Sequence, residues 1–182
     1  MIPKEYEKYE KFVTLGAVNW HGEWGNKAAN LEKMKAKMRE AALLGVNMLC
    51  FPELALTGYE CGEEARRDQK PCALHTEAAE TIPGPSTEEI AKLAGELGMY
   101  VVFGMPEKDA KDSKAKYIAA AVVGPEGVLG SYRKLHLATP PYGLNTFALS
   151  QAMSCPSLRL NTGPSASRFV PISGCTQNSV DS

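Results

Sequence analysis

Short apolar runs alternate with amphipathic stretches over most of the chain. The apolar runs predict strands at residues 12–18, 46–51 and 99–105, and a hairpin whose strands, 117–123 and 128–132, flank turn residues 124–127. Because proline cannot donate to a strand ladder, we expect the second strand to stop at Pro52. Strands that alternate with helices are typical of a layered α/β domain.

Two amphipathic segments carry helix boundary signals. Asn26 can cap a helix that runs to Leu44 and closes at Gly45; its apolar face comprises Leu31, Met34, Met38 and Ala41 or Ala42. Ser86 and Glu89 have the spacing of a capping box and precede apolar residues at helical spacing, with Gly98 as the stop. Residues 62–82 between them predict a polar loop with a short helix near 76–80.

Glu53 follows the second predicted strand directly after Pro52. A carboxylate at the mouth of a sheet, between Phe51 and Leu54, is placed for general-base chemistry. The alternative is a solvated loop glutamate, which is the commoner role of an isolated Glu.

Lys134 leaves the end of the predicted hairpin. A lysine at this place could hold a substrate oxygen while negative charge develops on it. The alternative is an edge-strand lysine that discourages pairing between sheets, and the neighbouring Arg133 fits that role equally well.

Together the two segments resemble the nitrilase superfamily of carbon–nitrogen hydrolases. Phe51-Pro-Glu53 with Thr57-Gly-Tyr59 is similar to one signature of this family, and Tyr132-Arg-Lys-Leu-His136 is similar to another. The resemblance covers roughly residues 12–142 and implies an α-β-β-α sandwich that is incomplete at its C-terminal side. It also implies that Glu53 is the general base and Lys134 the oxyanion-stabilising lysine, acting with a cysteine on small amides, nitriles or N-carbamoyl compounds.

No cysteine stands where the resembled family has its nucleophile, on a later strand with an acidic residue shortly after it. Cys50 lies inside the strand before Glu53 and is expected to be a small buried hydrophobe. Cys61 and Cys72 lie in a polar loop, and Cys155 and Cys175 lie in turn-like segments. We therefore expect the chain as written to be inactive.

Composition changes abruptly after Tyr142. From residue 143 to 182 the charged residues are Arg159, Arg168 and Asp181, whereas half of an α/β domain should keep supplying Glu and Lys on the wet faces of its helices. We expect residues 1–142 to be the N-terminal part of a carbon–nitrogen hydrolase domain and residues 143–182 to be a non-family tail, disordered or frameshifted.

The genetic code supports the frameshift hypothesis. Each shifted codon joins the last base of one residue's codon to the first two bases of the next. With permitted codons, residues 149–174 can then encode a string that ends in G-V-Q-I-C-A-D-F-W and looks like the missing part of the family. The cysteine codon would straddle the codons of Phe169 and Val170.

The net charge and the cysteine pattern limit the expected binding partners, cofactors and cellular compartment. A net charge of −1 argues against nucleic-acid and polybasic membrane roles, so a small amide or nitrile substrate is the expected partner. The five cysteines include no C-x-x-C pair and the histidines number three, so we expect no metal, no cofactor and a reducing cytoplasm. A homo-oligomer is expected for the intact family form by resemblance.

Another hypothesis comes from a different functional class. The protein could be a non-catalytic binding or regulatory module that keeps the fold of the family, which would require the tail to be genuine and ordered.

Overall fold

A computed structural model of the chain describes residues 13–59, 73–135, 158–161 and 167–170. The elements are β1 (Leu15–Ala17), α1 (Lys27–Leu43), β2 (Met48–Cys50), α2 (Ala73–Ala78), α3 (Pro85–Leu97), β3 (Tyr100–Lys108), β4 (Lys116–Gly124), β5 (Gly127–Arg133), β6 (Leu158–Asn161) and β7 (Ser167–Val170). The predicted strands and helices in the described ranges are all present, with shifted ends. No helix in these ranges is long and apolar enough to cross a bilayer.

Five strands form one mixed sheet in the order β1-β2-β3-β4-β5. The first three strands are parallel, while β4 runs antiparallel to both β3 and β5. It follows that β5 runs in the same direction as β1, β2 and β3. The carboxyl ends of these four strands therefore lie toward the same end of the sheet, which is where an α/β sheet usually carries its chemistry.

The main core lies between the sheet and helices α1 and α3. Alternate residues of β3 face the helices, and buried methionines of α1 meet them. The principal side chains in this layer are Met34, Met38, Ile90, Leu93, Val101, Phe103 and Met105. A fully buried methionine or phenylalanine contributes roughly 1.5–3 kcal/mol, so this layer holds the sheet in place. A smaller cluster around Tyr100 and Val122 lies on the opposite face.

Helix α1 begins as the sequence predicts, because Asn26 Oδ1 accepts a hydrogen bond of 3.1 Å from the Ala29 N–H. Its buried face differs in one position from the prediction. Asn30, Met34, Met38 and Ala41 are buried, whereas Leu31 is half-buried. A polar residue therefore occupies the core-facing position nearest the start of the helix.

Helix α3 does not begin at the predicted capping box. Gly84 is the N-cap and Pro85 the first helical residue, and Thr87 Oγ1 accepts from the Gly84 N–H at 2.8 Å. Ser86 instead uses its N–H and its hydroxyl to bind the carboxylate of Glu80, at 2.8 and 2.9 Å. Pro85 fixes the helical φ one residue before Ser86, which explains the earlier start.

Strand β3 continues three residues beyond its predicted end, through Pro106. The Pro106 carbonyl accepts from the Glu80 N–H at 3.3 Å, on the side of the strand away from β4. Because a strand residue presents its nitrogen and carbonyl to the same side, the missing proline donor costs no bond to β4. Pairing with β4 therefore runs on to Lys108.

The stretch after residue 142 contains two described strands. β6 and β7 pair antiparallel with each other, with Leu158 opposite Val170. The rest of that stretch lies outside the described residues.

Candidate active site

Glu53 lies in a tight turn that follows β2. The Phe51 N–H still donates to the Val102 carbonyl at 2.8 Å, as in a strand, and the chain then turns so that the Gly58 N–H donates to the Leu54 carbonyl at 2.8 Å. Leu54 has a φ of +51°, which is uncommon for a residue with a side chain. Its side chain is fully buried, so packing holds the backbone in this conformation.

The turn crosses over β3 at Gly104. A Cβ at this position would lie 2.4 Å from the Leu54 backbone nitrogen and 2.7 Å from the Glu53 Cα. Two hydrogen bonds join the segments, from the Gly104 N–H to the Pro52 carbonyl at 3.3 Å and from the Leu56 N–H to the Gly104 carbonyl at 3.2 Å. Only glycine leaves room for this crossing.

Lys134 follows directly after β5 and extends its ladder by one bond, because the Lys134 N–H donates to the Ile118 carbonyl at 2.8 Å. The Lys134 Nζ donates to both carboxylate oxygens of Glu53, at 2.9 and 3.1 Å. The side chains are 28% and 34% exposed, respectively, so a molecule from solvent can reach the pair.

The crossing at Gly104 explains how these two residues meet. Strands β2 and β5 are separated by β3 and β4, a span of roughly 14 Å at about 4.8 Å per strand. The turn that carries Glu53 covers part of this span by passing over β3. The two predicted site residues, 81 positions apart in sequence, are thereby brought into direct contact.

Two buried polar side chains hold the outer part of the turn. Asn30 donates through Nδ2 to the carbonyls of Glu23 and Leu56, at 2.7 and 3.2 Å, and accepts from the Glu23 N–H at 2.7 Å. His75 Nε2 lies 3.0 Å from the Gly58 carbonyl oxygen. Because a carbonyl only accepts, Nε2 carries the proton, and burial lowers the pKa of this imidazole against the opposing effect of that hydrogen bond.

Asn30 and His75 were not among the predicted site residues. A signal for Asn30 exists in the sequence, since it stands one helical turn before Met34 on the apolar stripe. A buried Asn side chain must find hydrogen-bond partners. An Asn on an apolar stripe is therefore a candidate for holding the backbone of a neighbouring loop. His75 has no comparable signal, because its contact to Gly58 depends on how the chain returns after residue 72.

Cys50 is the cysteine that the described ranges contain, and it is half-buried in β2. Burial raises the pKa of its thiol, so it lacks the thiolate character of a nucleophile. Cys61, Cys72, Cys155 and Cys175 lie outside the described residues. In the described ranges, no group of three or more His, Cys, Asp or Glu side chains is arranged to hold a metal ion.

A mixed sheet with helices on one face and a carboxylate–ammonium pair at its carboxyl end defines an α/β protein with a solvent-reachable acid–base pair. Comparison with known proteins supplies the family. The sequence model of the carbon–nitrogen hydrolase family matches residues 13–163. The chain belongs to this family, and the predicted membership of the nitrilase superfamily is confirmed.

Curated relatives carry the names of nitrilases and amidases. The chain is 34% identical over 112 residues to a probable nitrilase of Schizosaccharomyces pombe, covering 59% of this chain and 38% of the relative. It is 37% identical over 109 residues to a nitrilase of Pyrococcus abyssi, covering 59% and 37%. It is 37% identical over 113 residues to an omega-amidase of Bos taurus, covering 61% and 36%. The chain thus spans well under half the length of these relatives.

Solved structures agree on the fold. A Saccharomyces cerevisiae member of branch 10 of the nitrilase superfamily superposes with a TM-score of 0.64 at 19% identity, covering 83% of this chain and 52% of that one. An amidase of Nesterenkonia sp., solved in complex with acrylamide, superposes with a TM-score of 0.62 at 17% identity, covering 86% and 53%. The predicted α/β fold of the nitrilase type is confirmed.

Proposed function

We propose that this protein is built as a carbon–nitrogen hydrolase in which Glu53 is the general base and Lys134 stabilises the oxyanion. The observation that carries the proposal is the contact between the two side chains, at 2.9 and 3.1 Å, at a solvent-reachable place where strand ends converge. A carboxylate and an ammonium so arranged can take a proton and stabilise negative charge on the same reacting group.

The reaction would proceed through a covalent intermediate with a cysteine. Glu53 takes the thiol proton and the sulfur bonds to the amide or nitrile carbon. Lys134 donates a hydrogen bond to the atom on which negative charge develops. For an amide, the C–N bond then breaks, the nitrogen leaves as ammonia with a proton returned from Glu53, and water cleaves the thioester to release the acid.

The substrate class of the proposal is a small amide, nitrile or N-carbamoyl compound. The names of the curated relatives, nitrilase and omega-amidase, support this range. We place the protein in the cytoplasm, as a homo-oligomer in its intact form.

We further propose that the chain as written does not complete the reaction. From the sequence we expect Cys61 and Cys72 to lie in a polar loop and Cys155 and Cys175 in turn-like segments, and Cys50 itself is a half-buried thiol with a raised pKa. When the nucleophile of a comparable catalytic unit is removed, the remaining rate enhancement over the uncatalysed reaction in water is about 10³–10⁴-fold. The hypothesis that residues from about 143 onward are a frameshifted translation accounts for the missing cysteine.

Two observations favour the non-catalytic module as the alternative candidate. The family match runs to residue 163, beyond the boundary at residue 142, and β6 and β7 form a paired hairpin in that stretch. Both would follow if the tail is genuine. The module would keep the fold and the Glu53–Lys134 pair without hydrolysing anything.

A hydrolysis assay tests the enzymatic proposal. Ammonia release from small amides, nitriles and N-carbamoyl compounds is measured for the chain as written and for a version with the reading frame restored after residue 142. We expect release from the restored version alone. A restored version that hydrolyses none of these substrates would contradict the proposed function.

A high-accuracy DNA read across the codons for residues 140–182 and a few hundred bases beyond tests the tail. We expect the alternative frame to continue with a family-like sequence that contains the cysteine. If the reading frame of the present sequence is confirmed and the alternative frame soon reaches a stop codon, the non-catalytic module becomes the favoured hypothesis.

A further inference from the structure

Glu107, near the end of β3, is a buried carboxylate. Its side chain is 4% exposed, and an unpaired charge at this depth would be strongly unfavourable. The Glu107 Oε1 atom accepts from Arg133 Nε at 3.1 Å and from Arg133 Nη2 at 2.5 Å, and Oε2 accepts from the Ser131 hydroxyl at 3.4 Å. The charge is thus compensated by Arg133, and Ser131, the preceding side chain that β5 directs to this face, adds a hydrogen bond.

Arg133 is fixed from further directions. Its Nη1 donates to Asp109 Oδ2 at 2.8 Å, and its guanidinium carbon lies 4.0 Å from the centre of the Tyr117 ring. Hydrogen bonding to Glu107, and then to Asp109, raises the pKa of Arg133. The Asp109 pKa is lowered to about 2, first by backbone N–H donors of Asp112 and Lys111 and then by Arg133. Planar groups held on three sides cannot rotate freely.

Arg133 is the residue before Lys134, and its side-chain contacts add to the backbone ladder that holds this end of β5. β5 is an edge strand of the five-stranded sheet, paired with β4 on one side, and all of its residues are half-exposed. Its ladder with β4 is regular from Ser131 to Arg133, and the bulge between Val122 and Val123 lies at the other end of the strand. Because side chains alternate along a strand, an Arg133 held on the helix-side face directs Lys134 to the opposite face, toward Glu53.

We propose that Glu107 is a positioning residue that holds Lys134 against Glu53 by clamping Arg133. Glu107 contacts neither Lys134 nor Glu53 in the described hydrogen bonds; it acts through the neighbouring residue of the same strand. This positioning matters for catalysis only through the proposed role of Lys134, so that part of the inference rests on the proposed function. The effect of Glu107 on the position of the Lys134 ammonium can be tested without any hydrolytic activity.

The test observes the Lys134 ammonium directly in the chain as written. In protein labelled with ¹⁵N-lysine, an ammonium held by a carboxylate gives a slowly exchanging Nζ–H signal, assigned to Lys134 by its absence from Lys134→Arg. We expect Glu107→Ala to lose this signal, and Glu107→Gln, which keeps one acceptor oxygen for Arg133, to retain it in weakened form.

A matched control separates positioning from general damage. Asp109→Asn changes the more exposed of the two carboxylates on the same guanidinium and should weaken the Lys134 signal less than Glu107→Gln does. Methyl spectra of the helix-side core report whether each variant is folded. If Glu107→Ala does not fold, Glu107→Gln carries the test, because a purely structural role predicts no weakening in a folded variant.

Either of two results would overturn the proposal. One is a Lys134 signal that persists unchanged in folded Glu107→Ala, or in folded Glu107→Gln when the alanine variant does not fold. The other is a signal that is lost equally in Asp109→Asn. Since hydrolysis is not the readout, failure of the proposed enzymatic function would not produce either result.

Discussion

A Cβ on Gly104 would lie 2.4 Å from the backbone nitrogen of Leu54, so the turn that carries Glu53 crosses β3 at the one position where it has no side chain in its way. Backbone atoms cannot yield as the end of a side chain can. The placement of Glu53 next to Lys134 therefore depends on a residue that belongs to neither motif.

Gly104→Ala should destabilise the protein. We expect the free energy of unfolding to fall by about 1–3 kcal/mol, the usual effect of overpacking, because the turn must move away from β3. Urea unfolding measures the change. Gly95→Ala is the control, since its Cβ would lie 3.6 Å from the Pro125 carbonyl and alanine favours a helix interior by roughly 0.5–1 kcal/mol. A Gly104→Ala protein as stable as the parent would show that the turn does not rest on β3.

Removing the Glu53–Lys134 pair should leave stability almost unchanged. Both side chains are about one-third exposed, and ion pairs of this kind contribute roughly 0–1 kcal/mol. We expect Glu53→Gln and Lys134→Met to change the free energy of unfolding, measured in urea, within that range. A small change in stability would fit a pair whose role is chemical and not structural.

Arg133→Met is the contrasting variant for that experiment. It leaves the Glu107 carboxylate buried without its main partner, and we expect a loss of roughly 3 kcal/mol, the low end for buried pairs because Arg133 is 29% exposed. If Lys134→Met cost as much as Arg133→Met, the Glu53–Lys134 contact would be a structural ion pair.

His75 should make stability depend on pH near neutrality. Burial lowers its pKa in the folded state below the ordinary value of 6.5, so the unfolded chain binds the proton first as pH falls. Stability should therefore be full above about 6.5 and decline below it, until the folded-state pKa is reached. The free energy of unfolding measured at several pH values gives the slope.

His75→Gln should remove this slope, because the amide can still donate to the Gly58 carbonyl but does not titrate. His21→Gln, a change at an exposed histidine, is the control and should retain it. Persistence of the slope in His75→Gln would assign it to another group.

Glu80 should contribute to acid sensitivity. Burial alone would raise its pKa, but hydrogen bonds from Lys27 and from the N–H and hydroxyl of Ser86 outweigh burial, and the pKa lies below the ordinary 4.5. The carboxylate therefore stabilises the fold above about pH 4.5, and this contribution is lost as pH falls below that value. Acid unfolding followed by circular dichroism should be shallower in Glu80→Gln than in Glu96→Gln, a change at an exposed glutamate of α3. Equal acid transitions would contradict this role.

Local patterns in the sequence predicted the elements and singled out Glu53 and Lys134, which the structure brings into contact. The Asn26 cap, the hairpin around residues 124–127 and the strand ends before Glu53 and Lys134 follow from local rules on caps, turns and proline. Such rules act within a few residues, which is why they worked.

Features that depend on contacts between distant segments were not predicted. The start of α3 is set by Pro85 and by Glu80, because Ser86 binds the Glu80 carboxylate and does not cap the helix. The crossing at Gly104 and the clamp of Glu107 on Arg133 join residues far apart in sequence. No local rule contains that information.

The measurement closest to the central claim is ammonia release by the frame-restored protein with Glu53 or Lys134 replaced. Glu53→Gln and Lys134→Met should each lower kcat/KM by about 10²-fold or more, while Glu96→Gln keeps the parent rate. A restored protein that hydrolyses its substrate equally well without Glu53 and without Lys134 would contradict the assignment of these two residues.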